Sequence, residues 1–243
     1  MWRIFFEFLH LISFIIPGCK NREWFRHEKC FDYRKKLNAI KQEFPKLNWK
    51  KMRLAKGGGS LAFIVDNNVF KVRKFYENDN SEEKFMREKL ITDAIAPVLP
   101  VAVPHIELVQ AGKYLFYKTE FIPGQVLINL PLKKIIQNNE KIGKQIGQII
   151  YALNSTDFPQ LKKIKQCDAN SKKFGLIHGD MCSNIIVNPK TMDITGIIDW
   201  EYAGYNSIWH EFFGIFRVRR KMRLTDIAPY AIREYWELKE KNN

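Results

Sequence analysis

Hydrophobic and polar positions repeat with different periods along the chain, and the changes of period divide it. Residues 2–16 are the most apolar stretch, broken only by Arg3, Glu7 and His10, whose spacings of four and three set them on one narrow helical stripe. That run is too short and too polar to span a bilayer, and Pro17-Gly18 ends it. Phe31, Leu37, Ile40 and Phe44 then recur among Lys, Arg and Glu, which predicts an amphipathic helix from Cys30 to Phe44 stopped by Pro45. Near Leu54 the helical, Lys-rich character gives way to short β-branched runs divided by turn residues. Leu61–Val65 and Val69–Val72 flank Asp66-Asn67-Asn68, and Ile106–Gln110 and Tyr114–Glu120 flank Ala111-Gly112-Lys113. These runs predict a five-stranded antiparallel sheet, with one helix from Ser81 to Ile95 inserted and Ser81 as its N-cap.

Beyond residue 123 the pattern is mainly helical. Ile135, Ile136, Ile142, Ile146, Ile149, Ile150 and Leu153 repeat at threes and fours, predicting one helix over Leu130–Leu153. Ile185–Val187 and Ile194–Ile198 flank Asn188-Pro189-Lys190 and read as a hairpin. A last helix carries Ile232, Tyr235 and Trp236.

Composition narrows the classes. A chain of 243 residues, 46% hydrophobic, has room for one large domain or two lobes. Cys19, Cys30, Cys167 and Cys182 lack metal-ligand spacing and indicate neither a zinc site nor a disulfide framework, so a reducing compartment fits. The formal net charge is +14, and residues 20–56 hold thirteen Lys or Arg against four Asp or Glu. Arg3 is the only early cation and Ile16-Pro17-Gly18-Cys19 makes a poor cleavage or lipidation site, which argues against a signal peptide. An apolar helix beside a basic block suits peripheral contact with an anionic membrane through residues 1–56 of a cytoplasmic protein; packing of the same helix on the domain's own core is the other reading. Nucleic acid is disfavoured as a partner, since no aromatic-plus-basic recognition motif or helix-turn-helix pattern accompanies the charge. Arg217, Arg219, Arg220, Lys221 and Arg223 form a second basic cluster.

Candidate chemistry sits around the hairpin. Asp180 and Asn184 precede its first strand and Asp199 follows its second, so pairing the strands brings all three to one edge. That supplies one base and two hard oxygen donors of the kind Mg²⁺ shares with substrate phosphates. Upstream, Gly57-Gly58-Gly59-Ser60 before a β-branched run suits a loop folded over phosphates, although a linker has the same composition. Lys71 lies in an apolar strand, where a cation has a cost unless an anion meets it. On the following helix Glu88 shares a face with Phe85, Ile91 and Ala94, with Glu83 as the rival partner.

His178-Gly179-Asp180 followed by Asn184, then Ile197-Ile198-Asp199-Trp200-Glu201-Tyr202-Ala203-Gly204, resembles the aminoglycoside phosphotransferase and choline kinase family of the protein-kinase-like fold. The resemblance covers about Leu54 to Phe216 and departs from the family in one respect: three residues rather than four separate Asp180 from Asn184. It implies an α+β, two-lobed fold, with a small antiparallel N-lobe sheet carrying one helix and a mainly helical C-lobe. A helical extension (1–53) precedes a nucleotide-binding N-lobe (54–122) and a catalytic, substrate-binding C-lobe (123–243). The implied activity is transfer of the γ-phosphoryl group of ATP, with Mg²⁺, to a hydroxyl of a small molecule, a sugar or a saccharide at a membrane surface. Asp180 is then the catalytic base, His178 braces its loop, and Asn184 and Asp199 hold the metal. Lys71, fixed by Glu88, places the phosphates under Gly57, Gly58, Gly59 and Ser60, and the segment from Glu120 to Gly124 meets the adenine. Glu211 stands where relatives have an acid supporting the catalytic loop. A nucleotide-binding pseudokinase scaffold and an atypical protein kinase are the alternatives.

Overall fold

The computed structural model describes residues 30–56, 60–73, 81–161, 174–216 and 227–242. The apolar run at residues 2–16, the triple glycine at 57–59 and the basic cluster at 217–223 lie outside the described residues.

Five short strands, β1 (Arg53–Lys56), β2 (Ser60–Val65), β3 (Asn68–Arg73), β4 (Glu107–Ala111) and β5 (Tyr114–Glu120), form an antiparallel sheet in the order β1-β2-β3-β5-β4. Strand alternation sorts their side chains onto two faces. Leu61, Phe63, Val65, Phe70, Val72, Val109, Tyr114 and Phe116 bury one face. Helix α1 (Cys30–Glu43) covers it, with Ile40 wholly buried and Tyr33, Leu37 and Phe44 packed alongside. Lys71, between Phe70 and Val72, must therefore point to the opposite face. Helix α2 (Ser81–Ile95) packs there through Phe85, whose ring meets Tyr117 edge-on at 5.1 Å. The sheet is thus held between α1 and α2.

The second half is built on helices. The expected helix over Leu130–Leu153 is two: α3 (Leu132–Ile136) and α4 (Asn139–Ser155). Asn138 breaks it, leaving the helical conformation (φ −124°, ψ 16°) while its side chain donates to Lys134 O at 2.8 Å. Asn competes with the helical backbone in this way, and hydrophobic periodicity does not register it. Two minor sheets follow. In one, β6 (Gln125–Val126) pairs with β8 (Ile185–Val187), which pairs with β9 (Ile194–Ile197); in the other, β7 (Phe174–Ile177) pairs with β10 (Gly204–Ser207). The predicted hairpin is β8–β9, although its turn runs from Asn188 to Asp193 and is closed by Asn188 N–H donating to Asp193 O at 2.8 Å.

Helices α5 (Ile208–Phe216) and α6 (Ala228–Lys241) complete the fold. Ile142, Ile146, Ile149, Ile150 and Leu153 of α4 form one core with Trp200, Phe212, Ala231 and Tyr235. Gly143 and Gly147 let α4 and α6 approach closely: a Cβ on Gly147 would stand 2.6 Å from Ala231 O. No helix among the described residues is long and apolar enough to cross a membrane.

Candidate active site

A cleft of about 470 Å³ separates the five-stranded sheet from the helical half. Its upper wall is the α2-side face of the sheet, with Ala62, Ile64, Val69, Lys71, Tyr117 and Thr119; its lower wall includes Asp180, Ser183, Asn184, Ile186, Ile198 and Asp199. A concave, mainly apolar space with a few convergent polar groups is the usual form of a small-ligand site.

Lys71 is the junction of the two walls. Its Nζ lies 3.4 Å from Glu88 Oε2 and 2.5 Å from Asp199 Oδ1, and 4.9 Å above the ring of Tyr117. Glu88 is wholly buried, while Glu83 is exposed, so the structure pairs Lys71 with Glu88. The other Glu88 oxygen accepts from Tyr117 OH at 3.3 Å and from Trp200 N–H at 3.2 Å. Burial works against a charge on Lys71, but Tyr117, Glu88 and Asp199 more than offset it and hold the pKa above its ordinary value. Burial pushes the Glu88 carboxyl up, opposed by Lys71 and reinforced by Asp199. One lysine therefore serves two acids from opposite walls.

Asp199 takes a left-handed conformation (φ 64°) that is uncommon for a residue with a side chain. It is followed by a single turn, Trp200–Tyr202, seated by wholly buried Trp200. Two arginines hold this turn from the sheet side. Arg73 on β3 pairs with Glu201 at 2.5 Å, and Arg87 on α2 donates to Glu201 O at 2.5 Å and to Ala203 O.

The Asp180 loop is braced from beneath. His178 is buried: its Nδ1 accepts from Asp180 N–H at 3.2 Å and its Nε2 faces Ile198 O at 3.0 Å. That pattern fits a neutral ring protonated at Nε2, and burial pushes its pKa down to about 4. Glu211, also buried, accepts from His178 N–H at 2.5 Å and Gly179 N–H at 3.0 Å; burial raises its pKa to about 7 against the pull of those backbone donors. Gly179 has φ 83°, and a Cβ there would stand 2.8 Å from Tyr202 O, so the tight approach of the loop to the Trp200–Tyr202 turn needs glycine.

The short loop between Asp180 and Asn184 closes as a single turn, Met181–Ser183. Asn184 Nδ2 donates to Asp180 O at 2.8 Å and lies 3.3 Å from Asp180 Oδ2, which also accepts from Ser183 Oγ at 2.8 Å. Asn184 O in turn accepts from Ile198 N–H at 3.1 Å, tying this loop to the residue before Asp199. Three residues thus suffice to set Asn184 beside Asp180.

The structure brings Lys71, Asp180, Asn184 and Asp199 to one cleft that Ser60 and Glu120 also line, with Glu88 buried behind Lys71 and His178 behind Asp180. Tyr117, Arg73 and Arg87 escaped the sequence reading. Tyr117 stands directly across from Lys71 in the β3–β5 register, which becomes visible only once the strands are paired.

No curated protein matches the chain in sequence. The phosphotransferase enzyme family model matches residues 157–237, the part that holds both motifs. Solved structures share the fold at low identity. The GDP complex of wild-type aminoglycoside 2'-phosphotransferase-IIIa aligns with TM-score 0.62 and 13% identity over 83% of this chain and 86% of that one. The ternary complex of streptomycin, ATP and APH(2")-IIa aligns with TM-score 0.60 and 12% identity over 84% of this chain and 83% of that one. Macrolide 2'-phosphotransferase MphH from Brachybacterium faecium aligns with TM-score 0.61 and 14% identity over 83% of this chain and 82% of that one. The chain has the protein-kinase-like fold of the aminoglycoside and macrolide phosphotransferases, and residues 157–237 carry the sequence pattern of the phosphotransferase family.

Proposed function

We propose that the protein is a kinase that transfers the γ-phosphoryl group of ATP to a hydroxyl of a small molecule or saccharide, with residues 54–122 as the nucleotide-binding lobe and 123–243 as the catalytic lobe. The observation that carries this reading is Lys71, held at 3.4 Å from Glu88 and 2.5 Å from Asp199 in a cleft that also contains Asp180. With nucleotide in the cleft, Lys71 places the α- and β-phosphates, and Glu88, wedged by Tyr117 OH and Trp200 N–H, keeps Lys71 aimed. The phosphate-covering role is assigned to Ser60, which lines the cleft, and from the sequence alone to glycines 57–59, while the strand end at Glu120 borders the base.

Asp180 orients the acceptor hydroxyl and takes its proton. The acceptor oxygen bonds to the γ-phosphorus as the bond to the β–γ bridging oxygen breaks, and that oxygen leaves on ADP with the electron pair. The donor set fits Mg²⁺: Asn184 spends its NH₂ on Asp180 and keeps its amide oxygen, and Asp199 spends Oδ1 on Lys71 and keeps a second oxygen. Mg²⁺, when bound there, neutralises phosphate charge.

Asp199→Ala is expected to leave the protein folded by circular dichroism and to lower ATP-dependent turnover by about 10³-fold or more. Full retention of turnover would sink the assignment. A scaffold that binds nucleotide without transfer would fit a displaced Asn184; its bonds to Asp180 favour the catalytic reading. Peripheral contact with an anionic membrane through the N-terminal residues is supported by the apolar run at 2–16 beside the basic block.

A further inference from the structure

Asp180 also lines a second cavity, of about 370 Å³, together with Ile177, Gly179, Tyr202, Gly204, Asn206 and His210. Asp180 and Tyr202 line both this cavity and the main cleft, so they form the partition between them. A hydroxyl entering from this side meets the carboxylate that faces the cleft on its other side. The floor is the β7–β10 ribbon, in which Gly204 pairs with Ile177 and Asn206 with Gly175. Period-two alternation puts Gly204 and Asn206 on one face, the glycine leaving room and the asparagine presenting an amide.

The chemistry of this lining is specific. Tyr202 is 64% exposed, a large aromatic ring left uncovered beside a reactive carboxylate. Asn206 is buried, and its amide oxygen accepts from Ser207 N–H at 2.7 Å, so its NH₂ group is what it offers a ligand. His210, on the first turn of α5, contributes an imidazole that can donate or accept. Asp180 is the single carboxylate among the described lining residues. A polyamine would need several acids around it, and a quaternary ammonium a cage of rings rather than one; the chain's +14 net charge repels both. An uncharged polyol ring matches instead: its C–H face packs on an aromatic face, and its hydroxyls need both donors and acceptors at the edge.

We infer that this cavity is the acceptor site and that it takes a saccharide without cationic groups, its ring packed on Tyr202, its hydroxyls bonded to Asn206 and His210, and one hydroxyl delivered to Asp180. This rests on the kinase reading above and names its acceptor class.

The test is phosphoryl transfer from radiolabelled MgATP by the full chain to four acceptor sets: neutral mono- and disaccharides, polyols, choline with ethanolamine, and kanamycin. A parallel thermal-shift titration with MgATP reports on nucleotide binding. Transfer to a neutral saccharide is expected. Tyr202→Ala should raise the KM for that saccharide about tenfold, with Tyr202→Phe close to wild type, because the ring face and not the hydroxyl makes the contact. His210→Ala should raise the saccharide KM while leaving the MgATP thermal shift in place. A missing MgATP shift would overturn the kinase reading itself. An MgATP shift with transfer to choline, ethanolamine or kanamycin only, or to no saccharide, would overturn the saccharide assignment alone. A Tyr202→Phe loss equal to that of Tyr202→Ala would overturn the ring-packing role.

Discussion

His178 and Glu211 brace the same loop and respond to pH in opposite senses. The folded pKa of His178 is lowered by burial from 6.5 to about 4, so its unfolded form binds the extra proton between those values and its contribution favours folding as pH rises through them. The folded pKa of Glu211 is raised by burial from 4.5 to about 7. Its folded form then binds the extra proton, and its contribution is present below pH 4.5 and lost as pH rises to 7. The two offset each other over the shared part of the range. Glu211→Gln keeps an oxygen for His178 N–H and Gly179 N–H but removes the titration. Urea unfolding across pH should show the wild type losing stability relative to Glu211→Gln as pH rises from 4.5 to 7, by on the order of 3 kcal/mol. A difference that does not change with pH would contradict the assignment. At this scale much was legible in the sequence. Lys71 in an apolar strand demanded an anion, and the helical face shared with Phe85 and Ile91 selected Glu88. Arg73 carried no such signal, because an exposed strand-end arginine and one paired with Glu201, 128 residues away, look alike in a sequence.

Between elements, the contact that matters most for the site is the one from β3 and α2 to the turn after β9. Arg73 reaches Glu201 and Arg87 reaches the Glu201 and Ala203 carbonyls, so the turn that begins at Asp199 is held by the sheet as well as by Trp200. Arg87→Ala leaves two carbonyls without that donor and loosens the turn. The expected outcome is a fall in kcat of about tenfold together with a rise in saccharide KM, since the loosened turn carries both Asp199 and the cavity-lining Tyr202. Steady-state kinetics on the variant and on Arg87→Lys check it; a loss confined to the acceptor KM would show that the arginine acts elsewhere. The helices taught a complementary lesson. Periodicity placed α1, α2 and α6, although α2 divides its apolar residues between the sheet (Phe85) and the helical half (Ile91, Ile95), yet it ran α3 and α4 together. The interruption at Asn138 is a local side-chain bond to Lys134 O that leaves the spacing of the isoleucines intact.

Taken whole, the molecule sets a sheet between α1 and α2 above a helical half, and the candidate site fills the seam. The pairing of sheet to helices was readable because each strand run and each turn had its own composition. The seam was readable only through the resemblance of two short motifs to a known family, since no periodicity brings Lys71 to Asp199. The N-terminal basic block divides at this scale too: from residue 30 onward it includes α1, whose Ile40 is buried against the sheet. The membrane contact proposed above is therefore tested on the residues before Cys30. Flotation with phosphatidylserine-containing liposomes should carry the full chain and leave behind a chain beginning at Cys30; equal behaviour of the two would discard that role.

The central claim is that Asp180 receives the hydroxyl proton in a site assembled from both halves. Its most direct test is the initial rate of phosphoryl transfer from MgATP to a saccharide acceptor by Asp180→Asn beside the wild type. The amide can keep the bonds from Ser183 and Asn184 through its oxygen but cannot take the proton. The rate should fall by about 10²–10⁴-fold with MgATP binding unchanged; transfer at the wild-type rate would contradict the account.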